Sequence, residues 1–379
     1  MIVRIWIRLA AAAAMMMALA GCKTPGVSMS SDGRVAVSHT GELWVADVDR
    51  EDWQRVPVTG KAIGAPEWSP DNRYLLVQTQ EDETKEVRTS EGAAETDTIT
   101  KPVTVLCDTV TGDAKKLRSE IGPPFAWRAE SQGFIALHRE GETTDLAWYS
   151  LDVSLERTSP SLGKLDGARD LKWLPLSDEI GFRADYTETD RQGYARRKTG
   201  LYVAGAGHIV PIPGSESAIG FGLSRDKTSL IWAGDVSDGR RISISLHSYD
   251  IKTGVVSALA FPLRPFFVKW DRGYEPSIAS ATFSPNGERL ALVVYFTKAG
   301  KPGQQPDGRV ACYSVEIDGT GGCLVRLSDA DNAGLIPAWS HDGKRMAILD
   351  HSAGEPRLFI YNADGSGKRM ASLPATKVE

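Results

Sequence analysis

The stretch ATFSPNGERLALVV at 281–294 decides the fold, because its plan recurs as VSMSSDGRVAVS (27–38), PEWSPDNRYLLVQ (66–78) and PAWSHDGKRMAIL (337–349). Each copy joins a short strand to a second, apolar strand through a tight turn. In turns of the Ser-Pro-Asp-Gly type, Pro presets φ, Asp or Asn bonds nearby backbone, and Gly or Asn takes the positive φ. The runs after the turn, RLALVV (289–294) and RYLLV (73–77), are apolar at successive positions. Such runs mark strands covered on both faces. Weaker copies fill the interval between: FAWRAESQGFIAL (125–137), LKWLPLSDEIGF (171–182) and FGLSRDKTSLIW (221–232). The residue before each turn is Met29, Trp68, Trp127, Trp173, Leu223, Phe283 or Trp339, and it is expected to plug the gap between neighbouring units.

These markers recur every ~40 to 60 residues, a period that suits a four-stranded propeller blade. Third strands follow, as in LWVAD (43–47), VTVLCD (103–108), LYVA (201–204), ISLHSYD (244–250) and LFIYN (358–362). Short fourth strands come after them, for example KKLR (115–118) and LVRL (324–327). Long amphipathic helical patterns are nearly absent. The chain therefore reads as all-β, with a single β-propeller domain over residues 27–379 built of seven four-stranded blades. Units 3 to 5 are degenerate, so six or eight blades stay open. The repeats resemble the WD-like repeats of TolB-type β-propellers, from Val27 to about Pro374. TolB proteins carry an additional N-terminal α/β domain, for which this chain has no room.

The first residues, MIVRIWIRLAAAAAMMMALAGC, place Arg4 and Arg8 before a charge-free run from Leu9 to Ala20. This is the layout of an export signal, and the run is shorter than the ~20 residues that span a bilayer. Leu19, Ala20, Gly21 and Cys22 resemble the bacterial lipobox. The resemblance implies a signal peptide at 1–21 and acylation of Cys22. Residues 22–26 then act as a tether, and acyl chains hold the protein on the outer side of a membrane at about 0.8 kcal/mol per buried methylene. Lys23 in place of an aspartate implies the outer membrane where the cell has two. Because the first unit begins at about Val27, the tether reaches at most ~17 Å.

Removing residues 1–21, with two arginines and no acid, takes the formal charge from -5 to -7. A mildly acidic chain without basic stripes is a poor partner for nucleic acid. Beyond Cys22 only Cys107, Cys312 and Cys323 remain, too few for a disulfide framework. A hairpin closing on residues 318–321 sets Cys323 against Glu316 and Cys312 against Leu327. The two thiols are then about four residues out of register, beyond bridging distance at ~3.4 Å per residue. Three buried free thiols are expected.

The long insertions, 80–101, 185–199, 233–241 and 296–308, all fall between a second and a third strand, so they crowd one face of the disc, here the top. Glu81 to Asp97 hold seven acids and two bases, whereas Arg191, Arg196, Arg197 and Lys198 form a basic cluster flanked by Tyr186 and Tyr194. Loops on a rigid scaffold commonly carry recognition. The expectation is a binding rim of Tyr186, Arg191, Tyr194, Arg196, Arg197 and Lys198 for an envelope protein or glycan. Solvated loops with no partner are the alternative.

Signals for chemistry are weak. The chain lacks a Gly-x-Ser-x-Gly elbow, a phosphate-cradling Gly-rich loop and Cys-x-x-Cys metal spacing. Asp32, Asp71, Asp226 and Asp342 read as turn formers. One enzymatic alternative rests on resemblance, since oligogalacturonate lyases look like TolB-type propellers and hold a metal with histidines. Here His39, His138 and His351 end second strands, but against Ala36, Ala136 and Ala347 they take successive positions, and side chains alternate faces at each step. A binding or scaffold propeller with no catalytic residue, metal or cofactor is the favoured expectation, and a metal-dependent carbohydrate-active enzyme the second.

Overall fold

A computed structural model describes residues 25–88, 94–163, 165–189, 194–235, 244–259, 274–298, 307–318, 322–328, 334–351 and 356–374. Residues 1–21, Cys22 and Arg191 lie outside these segments. The described strands form seven four-stranded antiparallel sheets, each made of four consecutive strands. The blades span 26–56, 61–116, 121–158, 166–211, 218–259, 274–327 and 335–371. The all-β, seven-bladed expectation holds. Blade 3 carries one 3-10 turn, Ala129–Ser131, in place of the usual turn after its first strand.

Strand alternation explains why second strands are apolar at every position. In blade 1, Val35 and Val37 pack against blade 7, while Ala36 between them packs against blade 2. In blade 5, Leu230 and Trp232 face blade 4 and Ile231 and Ala233 face blade 6. The buried hydrophobics accordingly fall into seven clusters, one at each blade interface. Every marker residue packs against the preceding blade. Met29, Trp68, Phe283 and Trp339 are buried there, whereas Trp127, Trp173 and Leu223 are half-buried. The units with degenerate motifs are the ones with looser plugs. Trp127 and Trp339 also donate their indole N–H to the first strand of the preceding blade, at the carbonyls of Glu67 (3.1 Å) and Thr282 (2.9 Å).

The turns after the first strands, on the bottom face, are tied twice. Asp226 accepts from the Ser224 hydroxyl at 2.6 Å and from the Thr228 N–H at 3.1 Å, and these bonds hold its carboxyl below the usual carboxylate range. Ser69 with Asp71 and Ser340 with Asp342 repeat the bond at 2.5 and 2.6 Å, and Ser30 bonds Asp32 likewise. The four aspartates are turn formers, as read. Neighbouring turns also touch: the Ser31 N–H donates to Asn72 at 2.9 Å, and the Asp71 N–H to Ser131 at 3.1 Å. Gly343, at φ 70°, has no room for a side chain, since a Cβ there would stand 2.4 Å from Asn286 of blade 6.

The ring closes without strand exchange. Blade 1 meets blade 7 through a parallel bridge between Met29 and Ser340, the Trp53 indole on the Ser372 carbonyl (2.7 Å), and Arg369 on Asp49 and Glu51 (3.2 Å each). The first strand begins at Gly26, opposite Ser38, so the chain enters the disc from the top.

The expected register of the cysteine hairpin is corrected. A bulge between Cys312 and Tyr313 sets Cys312 against Arg326 and Cys323 against Ser314. Cys107, Cys312 and Cys323 are free. Burial pushes the Cys107 and Cys312 thiols up to about 12, but Cys323 is only half-buried.

Candidate functional site

In blades 2 and 4 the insertions on the top face are paired strands over most of their length. In blade 2 the second strand, Tyr74–Arg88, pairs continuously with the third, Ala94–Asp108. The first strand pairs only as far as Lys61 opposite Gln80. From Glu81 onward the hairpin is therefore a two-stranded ribbon, which at ~3.4 Å per residue stands about 27 Å beyond the sheet. Alternating threonines and charges read as an acidic loop, yet they suit a ribbon solvated on both faces. Its root is pinned by ion pairs from Glu81 to Lys116, Asp82 to Lys61 (3.5 Å) and Glu83 to Lys101. The Thr100 hydroxyl also donates to Asp82 at 2.8 Å. The Lys116 ammonium holds the Glu81 carboxyl below its usual range.

Blade 4 repeats the plan at smaller scale, with Glu179–Thr189 and Ala195–Ala204 paired to Thr189 opposite Ala195. Here the ribbon divides the predicted rim between two faces. Tyr186, opposite Lys198, and Glu188, opposite Arg196, share one face, where Lys198 forms an ion pair with Glu188 that raises its ammonium above the ordinary value. Arg197 points to the other face and binds Asp185 at 2.9 Å. Asp185 is buried and also accepts from Arg169 (2.7 Å) and the Thr199 hydroxyl (2.6 Å). Tyr194 stands 66% exposed near the tip. Arg197 is thus committed to a buried carboxylate, which its sequence neighbours could not reveal.

The ribbon of blade 6 differs in having its first strand alongside. Tyr274–Phe283 pairs with Arg289–Lys298 along its whole length, and Asp307–Glu316 covers the other edge. Of the insertion at 233–241, residues 236–241 lie outside the described segments. Blades 1 and 3, by contrast, turn within two residues, between His39 and Glu42 and between Glu140 and Thr143.

The histidines do not assemble. His138 bonds the Tyr149 hydroxyl through Nδ1 at 2.8 Å, within blade 3. His39 and His351 act on each other across the blade 1–7 seam, where burial first and then His39 lower the His351 imidazole below its ordinary value. Among the described residues, no group of three or more His, Cys, Asp or Glu is placed to hold a metal. A cavity of about 350 Å³ opens between blades 1 and 2, but Arg34, Arg50 and Arg55 on its wall are matched by Asp47, Asp52 and Asp108.

No family model matches the sequence. Over 253 residues, 63% of this chain, the sequence is 31% identical to a "Protein TolB homolog" of Chlorobaculum tepidum. The chain is a seven-bladed β-propeller similar to TolB over that stretch. It spans about half the length of the curated relative it matches, 49%. Solved structures share the architecture of this propeller at low identity. The β-propeller domain of the Trilobed protease from Pyrococcus furiosus superposes with a TM-score of 0.52 at 13% identity, over 92% of this chain and 98% of that one. An oligogalacturonate lyase in complex with manganese gives 0.52 at 11%, over 88% and 87%. The tricorn protease gives 0.56 at 10%, over 92% of this chain and 34% of that one. At these identities the likeness is one of fold.

Proposed function

We propose that this chain is a lipid-anchored propeller of the bacterial cell envelope that captures a protein partner on its top face. The observation that carries the reading is the asymmetry of the disc: ribbons rise from blades 2, 4 and 6 on one face only, around the short turns of blades 1 and 3. Ribbons on a rigid ring present side chains at fixed spacing, which suits recognition. The resemblance to TolB agrees with an envelope location, and the signal at 1–21 with Cys22 supplies the anchor. Tyr186, Tyr194, Arg196 and Lys198 remain the recognition residues of the blade 4 ribbon, together with Arg191, while Arg197 secures the root.

The anchor enters beside the longest ribbon. A tether of at most ~17 Å is shorter than the ~27 Å ribbon of blade 2. The tether therefore keeps the top face beside the anchor within ~17 Å of the bilayer, and the longer ribbon leans along the membrane surface with its exposed strands open to a partner. In the test, tagged native chain is recovered from native envelope beside a variant in which 82–100 are replaced by Asn-Gly. Partners recovered with the native chain and lost from the variant support the reading. The same partners on both chains, or none on either, overturn it.

A further inference from the structure

The cavity of about 350 Å³ between blades 1 and 2 opens at the bottom end of the disc, away from the ribbons. Asp47 pairs with Arg34 at the foot of the second strand of blade 1, and the turn that follows it, together with the turn after Asp108 in blade 2, walls the opening. Its size is at the small end of ligand pockets, which run from ~300 to ~1,000 Å³. Val45 and Val56 belong to the buried apolar cluster of the blade 1–2 interface and also line the cavity, so its inner end is apolar. Its outer wall is charged.

The signs on that wall balance, but the groups are not equally occupied. Asp108 accepts from Arg73 at 2.9 and 2.7 Å and from the N–H groups of Val110 (2.9 Å) and Thr111 (3.2 Å). Arg34 is taken up by the Asn72 carbonyl, the Thr109 hydroxyl (3.2 Å) and Asp32 (3.0 Å). Asp47 caps its own turn, accepting the Asp49 N–H at 2.8 Å. The other three differ. Among the described residues, Arg50 forms no side-chain hydrogen bond and stands 3.7 Å from Asp47, while Arg55 meets Glu42 through Nε at 3.1 Å and leaves both Nη groups unused. Asp52 accepts only the Asp47 N–H, at 3.3 Å, and forms no ion pair. The turn is braced from its far side, where Asp49 and Glu51 bind Arg369 of blade 7 at 3.2 Å each and Glu51 takes a φ of 55°. The alternate residues, Arg50 and Asp52, line the cavity instead, with Arg55 beside them on the short strand Gln54–Val56.

We propose that this cavity binds a small zwitterion, an α-amino acid or dipeptide with an apolar side chain, its carboxylate on Arg50 and Arg55 and its ammonium on Asp52. Guanidinium groups take carboxylates through paired, charge-assisted N–H bonds, and Arg50 and Arg55 are the groups with such donors to spare. The apolar side chain goes inward to Val45 and Val56. Opposite charges on one wall select against simpler ligands. An anion alone is opposed by Asp47 and Asp52, and a cation alone by Arg50 and Arg55, whereas a molecule carrying both charges meets each with its complement.

Calorimetric titration of the whole chain with L-leucine and with L-leucyl-L-leucine tests this, beside two analogues of leucine. Leucinamide lacks the carboxylate, and 4-methylpentanoate lacks the ammonium. A zwitterion should bind at least about tenfold more tightly than either analogue, because each analogue forgoes one set of charge-assisted hydrogen bonds. This comparison needs no variant. Asp52→Asn keeps an acceptor for the Asp47 N–H and should erase the preference over 4-methylpentanoate. Arg50→Gln combined with Arg55→Gln should erase the preference over leucinamide. All three side chains are exposed, so these changes leave the buried interface intact. Absence of binding by both zwitterions at about 10 mM, analogues that bind as tightly as leucine, or unchanged preferences in the variants would overturn the proposal.

Discussion

The two faces of the disc are built on opposite rules. On the bottom, each described turn after a first strand is short, and Ser-Asp bonds tie most of them to themselves while side chains and close packing tie them to the next blade. On the top, hairpins between second and third strands vary from a two-residue turn in blade 1 to fifteen-residue strands in blade 2. The difference teaches where the ring is held. A propeller without strand exchange depends on neighbour contacts, and a uniform bottom face keeps the spacing between blades while the top face is free to diverge.

One part of the top face breaks this rule, and it should give the largest effect. Asp350, at the top end of a second strand in blade 7, is fully buried and is held by Arg326 of blade 6 through Nε (2.9 Å) and Nη2 (2.6 Å). The guanidinium also lies 4.1 Å from the Phe359 ring centre. Removing one partner of such a pair costs about 3–5 kcal/mol, because the other charge stays buried. Urea unfolding of Arg326→Ala should show a loss of that size. The double variant Arg326→Met with Asp350→Leu should recover most of it. A loss under about 1 kcal/mol would mean that the blade 6–7 seam relaxes to let water reach Asp350.

A middle-sized effect sharpens the contrast itself. Ser340 on the bottom face is buried, donates to Asp342 at 2.6 Å and accepts the Arg345 N–H at 2.9 Å. Ser340→Ala leaves that half-buried N–H without its protein partner and should cost about 1–2 kcal/mol. Thr100 on the ribbon of blade 2 also bonds a carboxylate, but in the open. Thr100→Ala should change stability by less than about 0.5 kcal/mol. Equal losses in thermal unfolding of the two variants would erase the distinction between the faces.

The same contrast explains what could be read from the sequence. Bottom turns are local, so Ser-Pro-Asp-Gly chemistry announced blades 1, 2, 6 and 7, and even the half-buried plugs Trp127, Trp173 and Leu223 were in phase. Top-face structure depends on pairing between segments, so the polar strands of blades 2 and 4 passed for loops. The basic cluster was legible as composition only. Its division into Lys198 with Glu188 and Arg197 with Asp185 follows from a register that the sequence does not display. The cysteine hairpin missed because one bulge at Cys312 moves the pairing.

The smallest effect on stability is expected where the proposed function loses most. Replacing 82–100 by Asn-Gly keeps Glu81 opposite Lys101 and every pair below it, and Asn-Gly is the turn that closes a two-residue hairpin with the right twist. The residues removed lie beyond the reach of the first strand, and the described ones among them, 82–84 and 98–100, are exposed. The pairs lost, Asp82 with Lys61 and Glu83 with Lys101, are surface ion pairs. Pairs of that kind contribute about 0–1 kcal/mol, and an isolated two-stranded ribbon is marginal in water. The variant should therefore unfold within about 0.5 kcal/mol of the native chain while failing to recover partners. A marked loss of stability would show instead that the ribbon braces neighbouring blades. The top face would then share in holding the ring, and the lost capture could be ascribed to a damaged scaffold.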